Sequence, residues 1–327
     1  MAETARIGIV GTGGIAGLHT RRLLEMSEPV IAALADPDPD RMKRLKSSYP
    51  QLEACPEYSS HGEMLEEAEL DAALICSPHH VHCRQILDCL DAGLHVLCEK
   101  PMVCSTEDAE KVIEREKATG KILAVAYQRH SQPEFRFIRN QLQNGNAGEV
   151  QFVSAFQGQN WLQGTRGSWR QVPEFSCGGQ LNDSGSHLID IILWVTGLQA
   201  KKVAAGIESF DAEVDINSAL TVEFGNGAMA NISIVGNCPI WWEDITFICS
   251  EWSFFLRQGE LTYSTGARGE VLKLVSARYD GDSPDRNFVD AILGRAEALA
   301  PSECGLRTIE LTEAAWKSAA SGEPVYL

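Results

Sequence analysis

The sequence predicts an α/β protein: an N-terminal doubly wound Rossmann domain, followed by an α+β domain with an open, mostly antiparallel sheet. Apolar strands and helices alternate over residues 1–126, the first strand enters a glycine-rich turn, and from residue 127 strands of alternating polarity predominate. We therefore predict a dinucleotide-binding domain at 1–126 and a substrate-binding and oligomerisation domain at 127–327. The final helix of the second domain can pack back near the first.

The bulk composition favours a protein that handles a small, weakly charged molecule. A chain of 327 residues is long for one core. A net charge of -17 argues against nucleic-acid or anionic-membrane surfaces, because phosphate contacts need clustered lysine and arginine. No apolar stretch approaches the roughly 20 residues of a membrane-spanning helix. We therefore expect a cytoplasmic protein without nucleic-acid or membrane partners.

Cysteines and histidines give no metal-binding pattern. The 10 cysteines are scattered through the sequence without a CxxC pair, which predicts reduced, mostly buried thiols. His79, His80 and His82 lie close together, but no cysteine or carboxylate shares their spacing. We predict no metal site.

The first strand, at 6–10, leads into a turn of the pattern GxGxxA. Gly11 permits the tight turn, Gly13 lets the backbone approach a pyrophosphate, and Ala16 allows close packing of helix on strand. The N-terminus of the following helix then faces the phosphates. The predicted cofactor contacts in this turn are Gly11, Thr12, Gly13, Gly14, Ile15 and Ala16.

Asp36 ends the second predicted strand, at 30–35, and lies 25 residues after Gly11. A carboxylate there can accept hydrogen bonds from the adenosine ribose. Asp36 can alternatively, or in addition, cap the next helix. Its charge disfavours the 2′-phosphate of NADP, although Arg41 and Lys43 partly offset it, so we favour NAD and keep NADP open.

Two further loops follow buried strands of the same predicted sheet, one at 77–82 and one at 99–101. Ligands of open α/β sheets bind outside the carboxyl ends of the strands, so Lys100 is expected to project into the cofactor crevice. The alternative is a solvated surface lysine. The other predicted cofactor residues are Ser77, Pro78, His79, His82, Glu99 and Gln128.

The second half of the chain is predicted to form β-hairpins, with one loop and one helix inserted between the first two strands. Strands are predicted at 149–157, 201–209, 216–224, 228–235, 242–249, 253–257 and 271–277. The polar loop 158–176 and an apolar helix at 177–194 lie between the first two, and this insertion can reach over the crevice between the domains. Trp161, Trp169 and Arg170 in the loop could wall a sugar-sized pocket, or equally form an interdomain or subunit contact.

Asp183 and His187 stand four residues apart in the predicted helix. On a helix this spacing places both side chains on one face, where a carboxylate can orient an imidazole. The alternative is that the pair merely caps and packs the helix.

Together these motifs resemble the glucose-fructose oxidoreductase and inositol dehydrogenase family, Gfo/Idh/MocA, over nearly the whole chain. The motifs that carry the resemblance are the glycine turn at 11–16, Asp36-Pro-Asp-Pro, the 77–82 loop, Glu99-Lys100-Pro101, the Gly-Gly…Asp…His block at 178–190 and the closing 314–325. Cys177, His79 and His130 depart from frequent family choices, which bears on substrate rather than on fold. The resemblance implies NAD(P)-dependent oxidation or reduction of sugars, cyclitols and related polyols, and subunit contacts through the C-terminal sheet.

Matched by motif, the resemblance implies Lys100, Asp183 and His187 as the catalytic set. His187, with an ordinary pKa of about 6.5, suits the general acid/base role, while Lys100 binds the reacting oxygen and helps to position the nicotinamide. Asp183 orients His187 or binds a neighbouring hydroxyl. The predicted substrate contacts are Lys100, Arg129, Trp161, Trp169, Arg170, Asp183 and His187. This hypothesis requires Lys100 and His187, 87 residues apart, to face each other across one crevice.

Two other functions remain open at this point. A glycosidase that holds NAD tightly and works by redox elimination would release reducing sugar without net NADH. A non-catalytic dinucleotide-binding sensor would bind NAD and oxidise no polyol. Whichever function holds, we expect a homo-oligomer, a dimer or tetramer.

Overall fold

The computed structural model describes residues 4–266, 271–273 and 283–327. They form two compact units: 4–128 with 283–306, and 129–266 with 271–273 and 307–327. Residues 283–306 thus group with the N-terminal part of the chain, which the limits drawn from the sequence did not anticipate. Domains at 1–126 and 127–327, in the sense of independent folding and function, stay a prediction.

The first unit is built on a parallel sheet of six strands in the order β3-β2-β1-β4-β5-β6. This is the order of a doubly wound dinucleotide-binding fold, so the predicted Rossmann architecture is confirmed. The strands are β1 (Ala5–Val10), β2 (Pro29–Ala35), β3 (Glu57–Tyr58), β4 (Ala72–Ile75), β5 (His95–Cys98) and β6 (Leu123–Val125). The helices between them are α1 (Gly14–Leu24), α2 (Pro39–Ser48), α3 (His61–Glu67), α4 (His82–Asp91) and α5 (Thr106–Thr119).

The middle strands of this sheet are apolar throughout because helices cover both faces. Every residue of β4 is buried, and Ile9, Leu74 and Leu97 belong to one core cluster. Since β1, β4 and β5 are parallel neighbours, their carboxyl ends lie along one edge. The glycine turn, the 77–82 loop and Glu99 therefore emerge at the same edge of the sheet.

The second unit carries a sheet of nine strands in the order β14-β13-β12-β11-β7-β10-β9-β8-β15. Neighbours are antiparallel except for the parallel pair β7 and β10, so the predicted mostly antiparallel sheet is confirmed. The strands are β7 (Val150–Gly158), β8 (Ala200–Glu208), β9 (Asn217–Phe224), β10 (Met229–Val235), β11 (Trp242–Cys249), β12 (Trp252–Arg257), β13 (Glu260–Thr265), β14 (Val271–Lys273) and β15 (Val325–Tyr326). The helices are α6 (Pro133–Gln143), α7 (Trp161–Gly164), α8 (Pro173–Ser176) and α9 (Gly185–Thr196), and the chain closes with α10 (Pro284–Ile292), in the first unit, and α11 (Ser302–Ser321).

Strands β13 and β14 differ from the predicted strands. The strand predicted at 271–277 is observed as β14, and residues 274–277 lie outside the described part of the chain. Strand β13 was not predicted. It forms a hairpin with β12 through Gln258 and Gly259, whose φ angles are 51° and 80°, the paired positive values of a tight two-residue hairpin turn.

The helix predicted at 177–194 starts later than expected. It is α9, which begins at Gly185, and Asp183 lies in the turn that precedes it. The prediction that Asp183 and His187 share one helix is therefore wrong. The physical reason lies in the backbone upstream, where Gly179 and Leu181 donate their amides to the Asp215 carboxylate instead of entering a helical ladder.

Two general expectations can be compared with the described residues. Eight cysteines are free thiols: Cys55, Cys76, Cys83, Cys89, Cys98, Cys238, Cys249 and Cys304. The prediction of reduced thiols is confirmed for these eight. It is wrong for Cys104 and Cys177, each of which is disulfide-bonded. Within 4–266, 271–273 and 283–327, none of the helices has the length and apolar character needed to cross a membrane.

Candidate functional site

The glycine turn after β1 leaves its backbone open to a ligand. Gly11 has a φ of 84°, and a Cβ there would lie 2.7 Å from the Ser77 amide nitrogen, so only glycine fits between the ends of β1 and β4. Around Gly13 and Gly14, a Cβ would meet no described atom within 4 Å. Gly13 caps α1 without a side-chain hydrogen bond, which leaves first-turn amides of α1 available to phosphate oxygens. These residues fit a dinucleotide.

Asp36 ties the end of β2 to this turn. Its Oδ2 accepts hydrogen bonds from the Thr12 amide at 2.7 Å and the Thr12 hydroxyl at 3.1 Å, and its Oδ1 accepts from the Asp38 amide at 2.9 Å. The cap of α2 is Asp38, so the alternative role of Asp36 as helix cap is wrong. Oδ1 keeps a lone pair for another donor, and the predicted ribose contact stays a prediction.

His82 joins the two loops at the ends of β4 and β5. Its Nδ1 lies 2.9 Å from the Pro101 carbonyl oxygen and its Nε2 lies 2.9 Å from that of Ser77. Burial lowers the pKa of His82. The Ser77 hydroxyl donates to Gln85, and the His79 ring meets that of His82 edge-on at 5.9 Å. A direct contact of His79 or His82 with the cofactor stays a prediction, and the bonds observed for His82 hold the loops in place.

A buried histidine that the sequence did not mark lies between two carboxylates in the first unit. His19 Nδ1 is 2.5 Å from Asp285 Oδ1, and His19 Nε2 is 2.9 Å from Glu99 Oε1. Burial alone lowers the pKa of His19, but the hydrogen bonds to Asp285 and Glu99 outweigh it and raise the pKa to about 9. Glu99 Oε2 also accepts from the Lys100 amide at 3.1 Å. The partners of His19 are 80 and 266 residues away in sequence, so no local pattern could have indicated them.

In the second unit, Asp183 brings together three residues predicted for the substrate pocket. Its buried Oδ2 accepts a hydrogen bond from Trp161 Nε1 at 2.9 Å and from Arg170 Nε at 3.0 Å. The Arg170 guanidinium lies 4.6 Å from the centre of the Trp169 ring, in cation–π contact. His187 is partly exposed in the first turn of α9. Its orientation by Asp183 stays a prediction.

The turn that carries Asp183 is anchored by Asp215, another residue not predicted from the sequence. Asp215 Oδ1 accepts from the Gly179 amide at 2.9 Å and Trp316 Nε1 at 3.0 Å, and Oδ2 accepts from the Leu181 amide at 2.7 Å. Burial raises the pKa of Asp215. A Cβ at Gly179 would lie 1.9 Å from the Asp215 carbonyl oxygen. The backbone before Asp183 therefore packs so closely on Asp215 that position 179 has no room for a side chain.

Arg129, predicted as a substrate contact, is buried in the second unit. Its Nη2 donates to Glu243 Oε2 and, at 3.4 Å, to Gln157 Oε1. Among the residues that the structure describes, Arg129 Nη1 is buried and makes no hydrogen bond. A buried cationic donor of this kind is costly unless a ligand or a water molecule accepts from it.

A buried pair fixes α9 below His187. His130 Nε2 lies 2.7 Å from Asp190 Oδ2, and the His130 ring packs on Trp194 with centroids 4.3 Å apart. Arg139 covers the same indole ring at 4.4 Å. The histidine that departs from frequent family choices thus packs against the helix that presents His187.

Comparison with known proteins places both units in one family. Residues 5–127 match the family model described as "Oxidoreductase family, NAD-binding Rossmann fold", and residues 135–254 match the "GFO/IDH/MocA C-terminal domain". The predicted family, fold class and NAD-binding domain are confirmed.

Individual relatives cover most of the chain. The rhizopine catabolism protein MocA of Rhizobium meliloti is 26% identical over 324 residues, covering 94% of this chain and 97% of its own. Myo-inositol 2-dehydrogenase of Thermotoga maritima is 27% identical over 236 residues, covering 69% and 67%. The WlbA dehydrogenase of Bordetella pertussis, solved with NADH and UDP-GlcNAcA, superposes with a TM-score of 0.86 at 21% identity over 99% and 98% of the two chains. At that identity the superposition shows the fold alone.

Proposed function

Because the chain belongs to the Gfo/Idh/MocA family of oxidoreductases, we propose that it transfers a hydride between NAD and a secondary alcohol of a sugar, cyclitol or related polyol. The observation that carries the proposal is the shared carboxylate oxygen of Asp183, which joins Trp161 and Arg170 four residues before His187. An aromatic ring, a guanidinium and a carboxylate are the groups that bind sugar C–H faces and hydroxyls.

The proposed chemistry needs one base and one hydride acceptor. In the oxidising direction the C–H bond of the carbinol breaks and NAD supplies the hydride acceptor. The O–H proton moves to an imidazole nitrogen of His187, and the C–O single bond becomes a carbonyl. The partial exposure of His187 supports the role, because the imidazole must pass the proton on to solvent. Histidine is the side chain that most often acts as a general base in enzymes.

Lys100 is proposed to donate from Nζ to the reacting oxygen and to help position the nicotinamide. The ammonium stabilises the negative charge that develops on that oxygen as its proton leaves. The hydrogen bond from the Lys100 amide to Glu99 Oε2 supports this role, because it fixes the backbone from which the side chain projects. We propose that Lys100, Asp183 and His187 act on the same substrate.

Substrate recognition is assigned to the residues gathered at Asp183, together with Arg129. Arg170 uses Nε for Asp183, so its terminal nitrogens remain to donate to neighbouring hydroxyls. Trp169 is proposed to offer an apolar ring face to sugar C–H groups. Trp161 is buried beside Leu162 and Ile216, and its hydrogen bond to Asp183 supports a place for it at the base of the same pocket. The buried Nη1 of Arg129, without a partner among the described residues, supports a further polar contact with the substrate or with a bound water.

NAD is proposed as the physiological cofactor. The two cations that could have accommodated a 2′-phosphate already have acidic partners, since Arg41 lies 3.3 Å from Asp38 and Lys43 lies 3.1 Å from Asp40. The Asp36 carboxylate would face the phosphate with a like charge. Both features support a preference for NAD over NADP.

A screen of cyclitols, aldoses and anhydrosugars with NAD and with NADP, followed by reduced-nicotinamide absorbance, tests the proposal. We expect NADH formation with at least one member of the panel and faster turnover with NAD than with NADP. Binding of NADH without oxidation of any member would indicate a sensor instead. Release of reducing sugar without net NADH would indicate redox-elimination glycosidase activity.

Homo-oligomerisation and a cytoplasmic location stay predictions. Three exposed apolar residues, Ile240, Trp241 and Trp242, are consecutive at the start of β11, and a cluster of this kind supports a subunit contact. Light scattering of the purified protein distinguishes a monomer from the proposed dimer or tetramer.

A further inference from the structure

We propose that His19 is a positioning residue: a buried cation held between Asp285 and Glu99, it fixes the Glu99 carboxylate and, through it, the backbone of Lys100 beside the nicotinamide. This inference rests on the role assigned to Lys100 in the proposed function. It adds a residue of α1 and a residue of α10 to the machinery that binds the cofactor.

The geometry fits a charged imidazole between two ionised carboxylates. Both ring nitrogens of His19 lie within 2.9 Å of a carboxylate oxygen, Nδ1 of Asp285 and Nε2 of Glu99. A carboxylate can only accept, and a neutral imidazole has only one N–H to donate. With both carboxyl groups ionised, His19 donates both hydrogen bonds when each ring nitrogen carries a proton. The elevated pKa of His19, about 9, agrees with this assignment.

The charges around His19 balance. Arg22, also on α1, donates to the second oxygen of Asp285 at 3.1 Å, so two cations face two carboxylates. Asp285 is fully buried and His19 is 1% exposed. Loss of the His19 charge would leave the Glu99 and Asp285 carboxylates with less compensating positive charge, and buried charges without partners are unfavourable.

Glu99 transmits this arrangement to Lys100. The Glu99 carboxylate contacts both residues, since its Oε1 binds His19 and its Oε2 accepts from the Lys100 amide. The next residue, Pro101, is held by its carbonyl contact with His82. The backbone of Lys100 is therefore held at its amide by Glu99 and at the following residue by His82. The hydrogen bond between His19 and Glu99 fixes the Glu99 carboxylate that accepts from the Lys100 amide.

The other titratable groups near the pair do not change charge with it. Burial raises the pKa of the Cys76 and Cys98 thiols well above the ordinary range, so both stay neutral. Arg22 contributes a guanidinium cation to the second oxygen of Asp285. Burial lowers the pKa of the His82 imidazole, which also lies near Glu99, so His82 stays neutral as pH rises. The Lys100 ammonium also acts on Glu99, and the comparison with His19→Gln separates its effect from that of His19.

The test compares two ligands that differ at the nicotinamide. NADH carries the ring that Lys100 is proposed to position, whereas ADP-ribose lacks it and uses only the glycine turn and the ribose site. In full-length His19→Gln we expect NADH to bind about tenfold more weakly, the size of one charge-assisted hydrogen bond, and ADP-ribose to bind as in the wild type. Glu99→Gln should give the same pattern, and it decides the matter if His19→Gln does not fold.

A matched control removes another histidine–carboxylate pair of the same unit. His61 lies 2.9 Å from Asp88, and neither residue contacts Glu99 or Lys100 in the described structure. His61→Asn should bind both ligands with wild-type affinity.

In the wild type the ratio of NADH to ADP-ribose affinity should also fall as pH rises through about 9. The ratio in His19→Gln should lack this step.

Equal weakening of NADH and ADP-ribose would overturn the inference, because it would show that His19 only stabilises α1. Unchanged NADH affinity in folded His19→Gln, or in Glu99→Gln, would overturn it as well. The outcome is separable from the proposed function. A wild-type protein that binds NADH but oxidises no polyol defeats the proposed dehydrogenase, while the two affinities still decide the role of His19.

Discussion

Arg170 and Asp183 are joined by a hydrogen bond of 3.0 Å from Nε to Oδ2. The same oxygen accepts from Trp161, so a single carboxylate positions a cation and an aromatic ring. Arg170 is 39% exposed at its side chain, and an ion pair with that much solvent access adds little to stability. The pair matters for the geometry of the site.

Arg170→Gln should raise the KM for the best polyol about tenfold and change kcat less. The guanidinium is expected to bind hydroxyls that do not react, so its contacts are equal in the ground state and the transition state. Steady-state kinetics measure both constants. Arg166→Gln removes a neighbouring arginine whose partner, Asp211, is exposed, and it should leave both constants unchanged. A normal KM in Arg170→Gln would remove Arg170 from the pocket.

Gly179→Ala should lower the free energy of unfolding by about 3 kcal/mol, at the upper end of the usual cost of overpacking. The added Cβ would lie 1.9 Å from the Asp215 carbonyl oxygen, so the turn before Asp183 must move. Urea unfolding measures the loss. Gly206→Ala is the control, because a Cβ there meets no described atom within 4 Å. Equal stability of the two variants would show that the turn is loosely held.

The stability contributed by His19 should disappear at alkaline pH. Its pKa is about 9 in the folded protein and 6.5 is the ordinary value, so the folded state binds the proton more tightly. The contribution is complete below pH 6.5 and is lost as pH rises through about 9, at roughly 1.4 kcal/mol per pH unit in between. Urea unfolding of wild type and His19→Gln from pH 6 to 10 measures it. The stability gap between the two should narrow over this range, and a constant gap would contradict the assignment.

The fold was predictable where local signals carry it. The glycine turn at Gly11 and the apolar strand before it are each encoded by a few adjacent residues. Strand β13 was missed although Gln258 and Gly259 form an equally short turn, because glutamine is an uncommon residue at positive φ.

The position of Asp183 could not be predicted from periodicity. The residues from 180 to 194 keep an apolar pattern that suits a helix, yet the backbone before Gly185 bonds to Asp215. A carboxylate more than 30 residues downstream overrides the local preference. The sequence therefore indicated Asp183 and His187 as candidate site residues but placed the start of the helix too early.

The cluster at His19 lies beyond any local pattern for the same reason. Asp285 is 266 residues from His19 in sequence, and only the packing of α10 in the first unit brings them together. Glu99 was singled out as a cofactor residue on the strength of its motif. Its observed partners, His19 and the Lys100 amide, give that motif a structural role that composition and spacing do not contain.

The rate of NADH formation by wild type and His187→Ala, at saturating polyol and NAD, tests the central claim most directly. General-base loss should lower turnover at least roughly 100-fold, while NADH affinity, measured in parallel, stays at the wild-type value. Wild-type turnover in His187→Ala with the same polyol would contradict the assignment of His187 as the group that takes the hydroxyl proton.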